Sequence, residues 1–329
     1  MLQVIVFLFI HPTLCWWGHP HQLIGYIGMT HLTPKENKIL KKATGGYGLP
    51  EEDVALSSIW QDDLKDIHGL FVMANWHFSQ IPFIQSDWDP SKGKLKADTY
   101  GVKEALISNL KTLNDPTTKS KWAVQYALRS LIHFIGDIHT PHHNVEYYSK
   151  DFPEGDAGGT KYFMNCNYGS TCMHIHFLWD AGGLRYQMAY PMNDITFDTF
   201  KKNASLIMKK HPKSNYKNLD ESHLEEWINE TYQIARRDGY SVPLRSWPSK
   251  EYLEIVGNDT DERIAAAGYR LGLILKKLLN SKHLPLDYNL SKGIGVSEII
   301  AWTLNSALVV ISIICIIFKF KRRREYVYQ

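Results

Sequence analysis

Residues 120–143 read SKWAVQYALRSLIHFIGDIHTPHH, and this stretch decides the fold prediction. Asp115, Pro116 and Ser120 precede an apolar run, and Pro141 follows it, which predicts a helix over residues 122–138. Apolar and aromatic side chains recur there at helical spacing and form one broad face: Trp122, Tyr126, Leu128, Leu131, Ile132 and Ile135.

The same spacing recurs further along the chain. Residues 219–235 and 261–279 predict two more helices, the second with acidic residues at its start. Residues 142–171 and 181–193 are predicted to be loops, and few stretches show the alternation that favours strands. We therefore predict a mainly α fold with a single helical domain over residues 16–283.

The chain begins with an apolar segment of signal-peptide length. Residues 2–10 read LQVIVFLFI, and Thr13 and Cys15 are small enough for the −3 and −1 positions of a cleavage site. We predict a signal peptide over residues 1–15, whose removal exposes Trp16. Because no basic residue precedes the apolar run, an N-terminal anchor or core segment remains the alternative.

A second apolar segment lies near the other end. Residues 299–318 contain no charge, and 20 helical residues at about 1.5 Å each span the roughly 30 Å hydrocarbon core of a bilayer. Five basic residues follow, so residues 319–329 are predicted to be a cytoplasmic tail. We predict a type I single-pass membrane protein of the secretory pathway, with a stalk over residues 284–298 and an extracellular or lumenal domain.

The overall charge of +3 says little about the domain itself. The tail holds five of the 37 basic residues and one of the 34 acidic residues, which leaves 32 basic and 33 acidic residues elsewhere. This balance argues against broad neutralisation of a phosphate backbone as the main source of affinity for nucleic acid. Any phosphate site must concentrate positive charge locally, for example on metal ions.

Two features fit an oxidising compartment. Of the four cysteines, Cys15 and Cys315 lie in the apolar segments, so Cys166 and Cys172 are the plausible disulfide pair, with two free thiols as the alternative. Four sequons lie on the presumed lumenal side and predict N-glycosylation: Asn203, Asn229, Asn258 and Asn289.

Histidines beside carboxylates are the most informative feature for function. His133 and Asp137, like His176 and Asp180, are four residues apart, so each pair projects from one helix face and offers a nitrogen and an oxygen to one point. His143 follows just after Pro141. One such pair is more often a surface ion pair or a core histidine, but two pairs together favour zinc binding.

Three weaker elements offer ligands of the same kind. Asp62 follows Trp60 and Gln61, and His77 lies between Trp76 and Phe78, although a buried Asp or His usually only pairs with a neighbour. The new N-terminus offers an amine and its own carbonyl oxygen at Trp16, with His21 five residues on. The alternative is that Trp16 merely anchors the N-terminus in the core.

In this order the motifs closely resemble one known family. The pattern includes Trp16-x4-His21, Trp60-x-Asp62, Trp76-His77-Phe78, His133-Phe-Ile-Gly-Asp137-Ile-His-Thr-Pro-His-His143 and His176-x-x-Trp179-Asp180. It is similar to the class I zinc-dependent single-strand-specific nucleases, which include fungal single-strand nucleases, plant bifunctional nucleases and membrane-anchored protozoan 3'-nucleotidase/nucleases. The resemblance implies a single helical domain of the phospholipase C/nuclease type with a trinuclear zinc cleft.

The resemblance implies three zinc ions and a ligand for each coordinating position. One zinc would take Asp62, His77, His133 and Asp137. A second would take the amine and carbonyl of Trp16, with His21 and the shared Asp137. The third would take His143, His176 and Asp180.

The resemblance also implies a mechanism and a substrate. A metal-activated hydroxide, oriented by Asp62, would hydrolyse phosphodiester bonds of single-stranded RNA and DNA, or 3'-nucleotides, to 5'-phosphate products. Lys65 would offset charge in the transition state, and Phe78 would stack a base. Gln80 stands where fungal members carry a base-contacting aspartate, and His174 replaces the usual asparagine, so base preference is open.

Two other functions remain as alternatives. A zinc phospholipase C acting on phospholipids would use a similar three-zinc site, but Phe78 and the closer motif match favour nucleic acid. A catalytically inactive zinc-binding surface protein would keep the fold, but the retained ligands and Lys65 argue against it. No obligate protein partner is evident.

Overall fold

Helices dominate the chain, as the sequence predicted. The structure is a computed structural model that describes residues 18–45, 54–66, 68–95, 100–118, 120–167, 173–186, 194–281 and 284. All of these residues belong to one unit, Met1–Leu286. The prediction of a mainly α fold is confirmed over this part of the chain.

Helices of several lengths and two short strands make up the regular structure of the described residues. The α-helices, in chain order, are α1 (Gly18–Thr30), α2 (Pro34–Thr44), α3 (Val54–Ser57), α4 (Trp60–Asp66), α5 (Val102–Asn114), α6 (Lys121–Asp137), α7 (Ile175–Asp180), α8 (Asp194–Lys210), α9 (Leu224–Ile234) and α10 (Lys250–Leu279). The strands are β1 (Pro82–Ile84) and β2 (Glu146–Tyr148). Short 3-10 helices include Phe71–His77, Pro141–His143 and Glu221–His223, and a π-helical turn covers Ala235–Gly239.

α6 is the central helix. It begins after Ser120, whose hydroxyl accepts a hydrogen bond from the backbone N–H of Ala123 at 3.2 Å. Every residue from Ala127 to Asp137 is buried, and the helix contacts α1, α2, α4, α5 and α10. A helix surrounded in this way places its polar side chains inside the protein, where they need polar partners or an ion.

α10 begins eleven residues earlier than the sequence predicted. Its first residue is Lys250, and the hydroxyl of Ser249 caps it by accepting from the backbone N–H of Tyr252 at 3.1 Å. Asp261 therefore lies inside the helix, so the predicted start there is wrong. Gly257, which reads as a helix breaker, is instead a contact point, because a Cβ at this position would lie 2.2 Å from Nε of Arg185.

α9 is shorter than predicted. The predicted helix over 219–235 forms as a 3-10 turn, Glu221–His223, followed by the α-helix Leu224–Ile234. Asp220 explains the difference, because its carboxylate accepts from the backbone N–H of Ser222 at 3.0 Å and so starts the turn. The helix then continues into the π-helical turn.

The two strands form a small parallel sheet that brings distant segments together. Pro82 pairs with Glu146 in the register, and β1 follows His77 while β2 follows His143. Beside the sheet, the backbone N–H of Ser79 donates to the carbonyl of His143 at 2.7 Å. The sheet therefore holds the segments of these two histidines side by side.

An ion-pair network of two buried arginines and the half-buried Glu230 ties α9 and α10 to the end of α6. Both Nη atoms of Arg270 donate to Glu230 at 2.8 Å, and Arg263 donates to the same carboxylate at 2.6 Å. Arg270 also donates to Nε2 of His139 at 2.7 Å. Since arginine only donates, His139 carries its proton on Nδ1, which donates to the carbonyl of Ile135 at 2.7 Å.

Replacing Glu230 with glutamine is expected to lower the free energy of unfolding by about 2 kcal/mol, because the buried Arg270 loses its carboxylate partner, while Arg263 keeps Glu262 and solvent screens the 34% exposed Glu230. Urea denaturation of the purified domain measures this. Glu225→Gln is the matched control, because the side chain of Glu225 is 76% exposed beside Lys103, and it is expected to change stability by less than about 0.5 kcal/mol. Equal effects of the two variants would contradict the role of the network.

Among the described residues, no helix is both long enough and apolar enough to cross a membrane. The predicted signal peptide over residues 1–15, membrane helix over 299–318 and basic tail over 319–329 lie outside the described residues. So does the predicted stalk, apart from Leu284.

Candidate metal centre

The C-terminal end of α6 supplies the two side chains around which the site is built. His133 and Asp137 are both fully buried, and Nε2 of His133 lies 3.0 Å from Oδ2 of Asp137. Their spacing of four residues places them on one face of the helix, as the sequence predicted. Three groups of metal-binding side chains form around this pair and beyond it, each with its ligand atoms within 4.8 Å of one another.

The first group consists of His21, His133 and Asp137. His21 comes from α1, and its Nε2 lies 3.3 Å from Oδ1 of Asp137. Its ring stacks on that of His133 with centroids 4.2 Å apart. Gly136 permits this approach, because a Cβ there would lie 2.3 Å from Nδ1 of His21.

The second group consists of Asp62, His77 and His133. Asp62 comes from α4, and its Oδ1 lies 3.5 Å from Nδ1 of His77 and 3.7 Å from Nε2 of His133. His77 also lies 2.9 Å from Oδ2 of Asp137, so the first and second groups share one carboxylate environment. The amine of Lys65, which is fully buried, donates to Oδ1 of Asp62 at 3.1 Å.

The third group consists of His143, His176 and Asp180. His176 and Asp180 lie on α7 with Nε2 and Oδ2 3.3 Å apart, and the ring of His143 stacks on that of His176 at 5.1 Å. His143 Nδ1 is also 3.3 Å from Oδ1 of Asp137. The third group is therefore adjacent to the first two.

Backbone carbonyls orient three of the imidazole rings. Nδ1 of His133 donates to Ser58 at 2.7 Å, Nδ1 of His143 donates to His77 at 3.0 Å, and Nδ1 of His176 donates to Gly158 at 2.8 Å. Each ring is thereby held in the tautomer that leaves Nε2 as a lone-pair donor. Metal-binding histidines are commonly fixed in this way.

The carboxylates of the site favour bound positive charge. Burial lowers the pKa of His133, but Asp137 and Asp62 outweigh burial and raise that pKa to about 9. Burial raises the pKa of Asp180 well above its usual range, and repulsion from Asp62 and Asp137 raises it further. Bound cations would satisfy both groups, because they stabilise the ionised carboxyl group and replace the proton on the imidazole.

The side chains fit zinc. Nitrogen and carboxylate oxygen atoms of this kind, converging from buried His and Asp residues, are ligands that zinc prefers. Among the described residues, Nε2 of His143 and both carboxylate oxygens of Asp180 are buried without a hydrogen-bond partner. Atoms of this kind are costly to bury unless they bind an ion, so a metal accounts for an arrangement that hydrogen bonds do not.

A cavity of about 180 Å³ lies beside the third group. Phe78, Gln80 and Thr160 line it together with His143. The ring of Phe78 lies 4.8 Å from that of His143 and 6.0 Å from that of His176. The two predicted substrate-binding residues, Phe78 and Gln80, therefore share one cavity next to candidate metal ligands.

The remaining predicted residues are partly described. Trp16, Cys172 and Asn289 lie outside the described residues, while Cys166 is disulfide-bonded. Asn229 and Asn258 are exposed and Asn203 is half-buried, all three on helices. His174 caps α7, where its Nδ1 accepts from the backbone N–H of Phe177 at 3.4 Å.

Sequence reasoning missed the groups that orient the rings. Ser58 and Gly158 act through their backbone carbonyl oxygens, and no pattern of side chains in the sequence indicates such a role. Gly158 did carry a signal, because Gly158 and Gly159 form a pair in a loop. Its φ of +63° favours glycine, and a Cβ there would lie 2.7 Å from the carbonyl oxygen of His142.

Replacing Gly158 with alanine is expected to weaken zinc binding at the third group by about 10- to 100-fold, because the carbonyl that orients His176 must move. Competition with a zinc-sensitive dye measures the affinity. Gly69→Ala is the matched control: Gly69 has a similar φ of +72°, but a Cβ there would meet nothing within 4 Å. Equal affinities in the two variants would show that the collision at residue 158 does not matter.

Comparisons with known proteins place the chain in a family. The profile of the family described as S1/P1 nuclease matches residues 16–280. Endonuclease 1 of Arabidopsis thaliana is 19% identical over 305 residues, which cover 86% of this chain and 93% of that protein. Endonuclease 3 of the same plant is 24% identical over 178 residues, which cover 52% of this chain and 55% of that protein.

The family profile spans both the helices that carry the three groups and the helices that pack around them. The resemblance read from the sequence motifs is thereby confirmed, and the chain belongs to the S1/P1 nuclease family of phosphodiester hydrolases.

Proposed function

We propose that the protein is a zinc-dependent endonuclease and 3'-nucleotidase that hydrolyses single-stranded RNA and DNA to 5'-phosphate products. The observation that carries this proposal is the set of three adjacent His/Asp groups beside the Phe78 cavity. Together these groups offer places for three zinc ions, and Asp137 lies within 3.3 Å of a histidine of each group. The names of the two plant relatives support nucleic acid as the substrate.

Zinc supplies two kinds of chemistry when bound: it polarises phosphate oxygens and lowers the pKa of water. The residues of the chain do the rest. Asp62 belongs to the second group and its side chain is 15% exposed. Its carboxylate would orient a nucleophile for in-line attack. Lys65 holds Asp62 in that orientation and places a positive charge beside the reacting phosphate.

Substrate selection follows from the cavity. Phe78 offers a ring face to a base, and base stacking requires an unpaired nucleotide but tolerates any sequence. The amide of Gln80 both donates and accepts hydrogen bonds, so it matches the edges of more than one base. A duplex, whose bases are stacked on one another, is expected to react poorly.

The amine and carbonyl of Trp16 are proposed to complete the first group. α1 begins at Gly18, and it carries His21 into contact with Asp137. A deprotonated terminal amine is a nitrogen ligand comparable with imidazole. Removal of residues 1–15 would then be needed for a complete site, and a form that keeps an extra N-terminal residue is expected to bind less zinc.

Location is part of the same proposal. The apolar leader, the four sequons and the disulfide-bonded Cys166 all fit the secretory route. Residues 299–318 and the basic residues that follow fit a type I membrane anchor. Peptide masses of the protein purified from membranes would test the Cys166–Cys172 pairing, the glycans and the anchor together.

The decisive experiment combines metal analysis with three activity assays on the processed domain. We expect three zinc ions per chain, release of 5'-phosphate products from single-stranded RNA and DNA, and loss of this activity after chelation. Cleavage of phosphatidylcholine vesicles without nucleotide release would favour the phospholipase alternative. Full zinc content without any hydrolysis of RNA, single-stranded DNA or 3'-nucleotides would favour an inactive surface protein.

A further inference from the structure

The face of α6 that carries the metal-group residues also carries two aromatic side chains nearer its start, the exposed Trp122 and the half-buried Tyr126. Trp122, Tyr126, His133 and Asp137 are separated by four, seven and four residues. At 3.6 residues per turn, these four positions fall within about 60° of one another around the helix axis. The sequence pattern alone placed Trp122 and Tyr126 only on an apolar face.

Trp122 is not buried in the core. Its side chain is 60% exposed, and its ring stacks on that of Tyr126 with centroids 5.5 Å apart and planes inclined by 22°. Tyr126 in turn packs edge-on against Trp60 at 5.6 Å, and its hydroxyl donates to Sδ of Met73 at 3.6 Å. An exposed tryptophan is thus held flat against a second ring.

These contacts connect the aromatic pair to the second metal group. Trp60 lies on α4 two residues before Asp62, and Met73 lies on the 3-10 helix that ends at His77. Trp122 precedes His133 by eleven residues, or about 16 Å along the helix axis at 1.5 Å per residue. The pair therefore lies away from the metal groups. The 3-10 helix that Tyr126 contacts at Met73 nevertheless also carries Ala74 and Asn75, which line the cavity of Phe78.

We propose that Trp122, supported by Tyr126, is a stacking subsite for a base of the single strand several nucleotides away from the cleaved bond. This proposal rests on the proposed nuclease function and adds a second contact to the same substrate. A pre-stacked ring offers a planar surface at little entropic cost, because Tyr126 already restricts it. Stacking is sequence-tolerant, so the subsite would raise affinity for long strands without selecting a sequence.

The test compares a long substrate with a short one. Affinity of the zinc-loaded domain for a fluorescent phosphorothioate oligothymidylate of about 15 nucleotides is measured by anisotropy, and kcat/KM is measured on a dinucleotide. Trp122→Ala is expected to weaken oligonucleotide binding about tenfold and to leave dinucleotide cleavage unchanged. Trp122→Phe, which keeps a ring, is expected to retain most of the affinity.

Trp247→Ala is the matched control, because Trp247 is 57% exposed and lies outside α6. Unchanged oligonucleotide affinity in Trp122→Ala, with normal dinucleotide cleavage, would overturn the subsite and leave the proposed function standing. Failure of every variant and of the wild type to cleave the dinucleotide would instead overturn the proposed function. If Trp122→Ala loses binding to phosphatidylcholine/phosphatidylserine vesicles but keeps its affinity for the oligonucleotide, the subsite is also overturned and Trp122 is assigned to a lipid surface.

Discussion

We expect Asp137→Asn to lower kcat/KM for single-stranded RNA by roughly three orders of magnitude. This loss corresponds to about 4 kcal/mol of transition-state stabilisation. The reason is the position of this carboxylate, which lies 3.3 Å from His21, 2.9 Å from His77 and 3.0 Å from His133. Asparagine has nearly the same shape but no charge. The first and second groups would therefore lose the anion that they share.

Steady-state kinetics and zinc content of the same preparations test this expectation. The variant is expected to bind fewer zinc ions than the wild type while keeping its helical circular dichroism signal. Asp198→Asn is the control, because the side chain of Asp198 is 82% exposed on α8 and should affect neither quantity. Wild-type activity of Asp137→Asn with a full zinc complement would show that the carboxylate is not a metal ligand.

Removal of the metal is expected to lower the melting temperature by about 8–16 °C. A ligand at 1,000 times its dissociation constant stabilises the folded state by about 4 kcal/mol, and each kcal/mol shifts the melting temperature of a domain this large by about 2–4 °C. Apart from Asp62, the candidate ligands of the three groups are buried, so without cations their carboxylates and imidazoles must be buried with incomplete compensation.

Calorimetry before and after chelation measures this shift, and zinc added back is expected to restore the original melting temperature. Magnesium at the same concentration is the control, because it prefers oxygen ligands in octahedral geometry and should not replace zinc. A metal-free protein that melts within about 2 °C of the loaded protein would contradict a structural contribution from the ions.

The sequence predicted α6 closely because its signals are local. The helix was predicted over 122–138 and forms over Lys121–Asp137. The hydroxyl of Ser120 caps its start, and Pro141 follows its end. α2 carried an equally local signal that was overlooked: Thr33 and Glu36 form a capping box in front of an amphipathic run.

The start of α10 could not be read in the same way. Residues 257–259 read Gly-Asn-Asp, a sequence that favours a turn over a helix. In the folded protein Arg185 donates to Oδ1 of Asn258 at 3.1 Å and to Oδ2 of Asp261 at 2.8 Å. A tertiary contact from 73 residues away thus stabilises helix where the local sequence does not favour it.

Part of the candidate site could be read from the sequence because four of its side chains stand at fixed helical spacing. His133 with Asp137, and His176 with Asp180, follow from helix geometry alone. The groups that orient the rings were not predictable, since Ser58 and Gly158 contribute only backbone oxygens. The Arg270 network was also hidden, because it depends on how α9 and α10 meet beside His139.

Because His133 belongs to both the first and the second group, and Asp137 contacts members of both, ions bound at these two groups would not be independent of each other. The first ion to bind would order a carboxylate and an imidazole ring that the second ion also needs, so the second ion would bind to a partly organised site. Half-loaded molecules should therefore be scarce, and activity should rise steeply over a narrow range of free zinc. A titration that gives a simple hyperbola would show that the two positions fill separately.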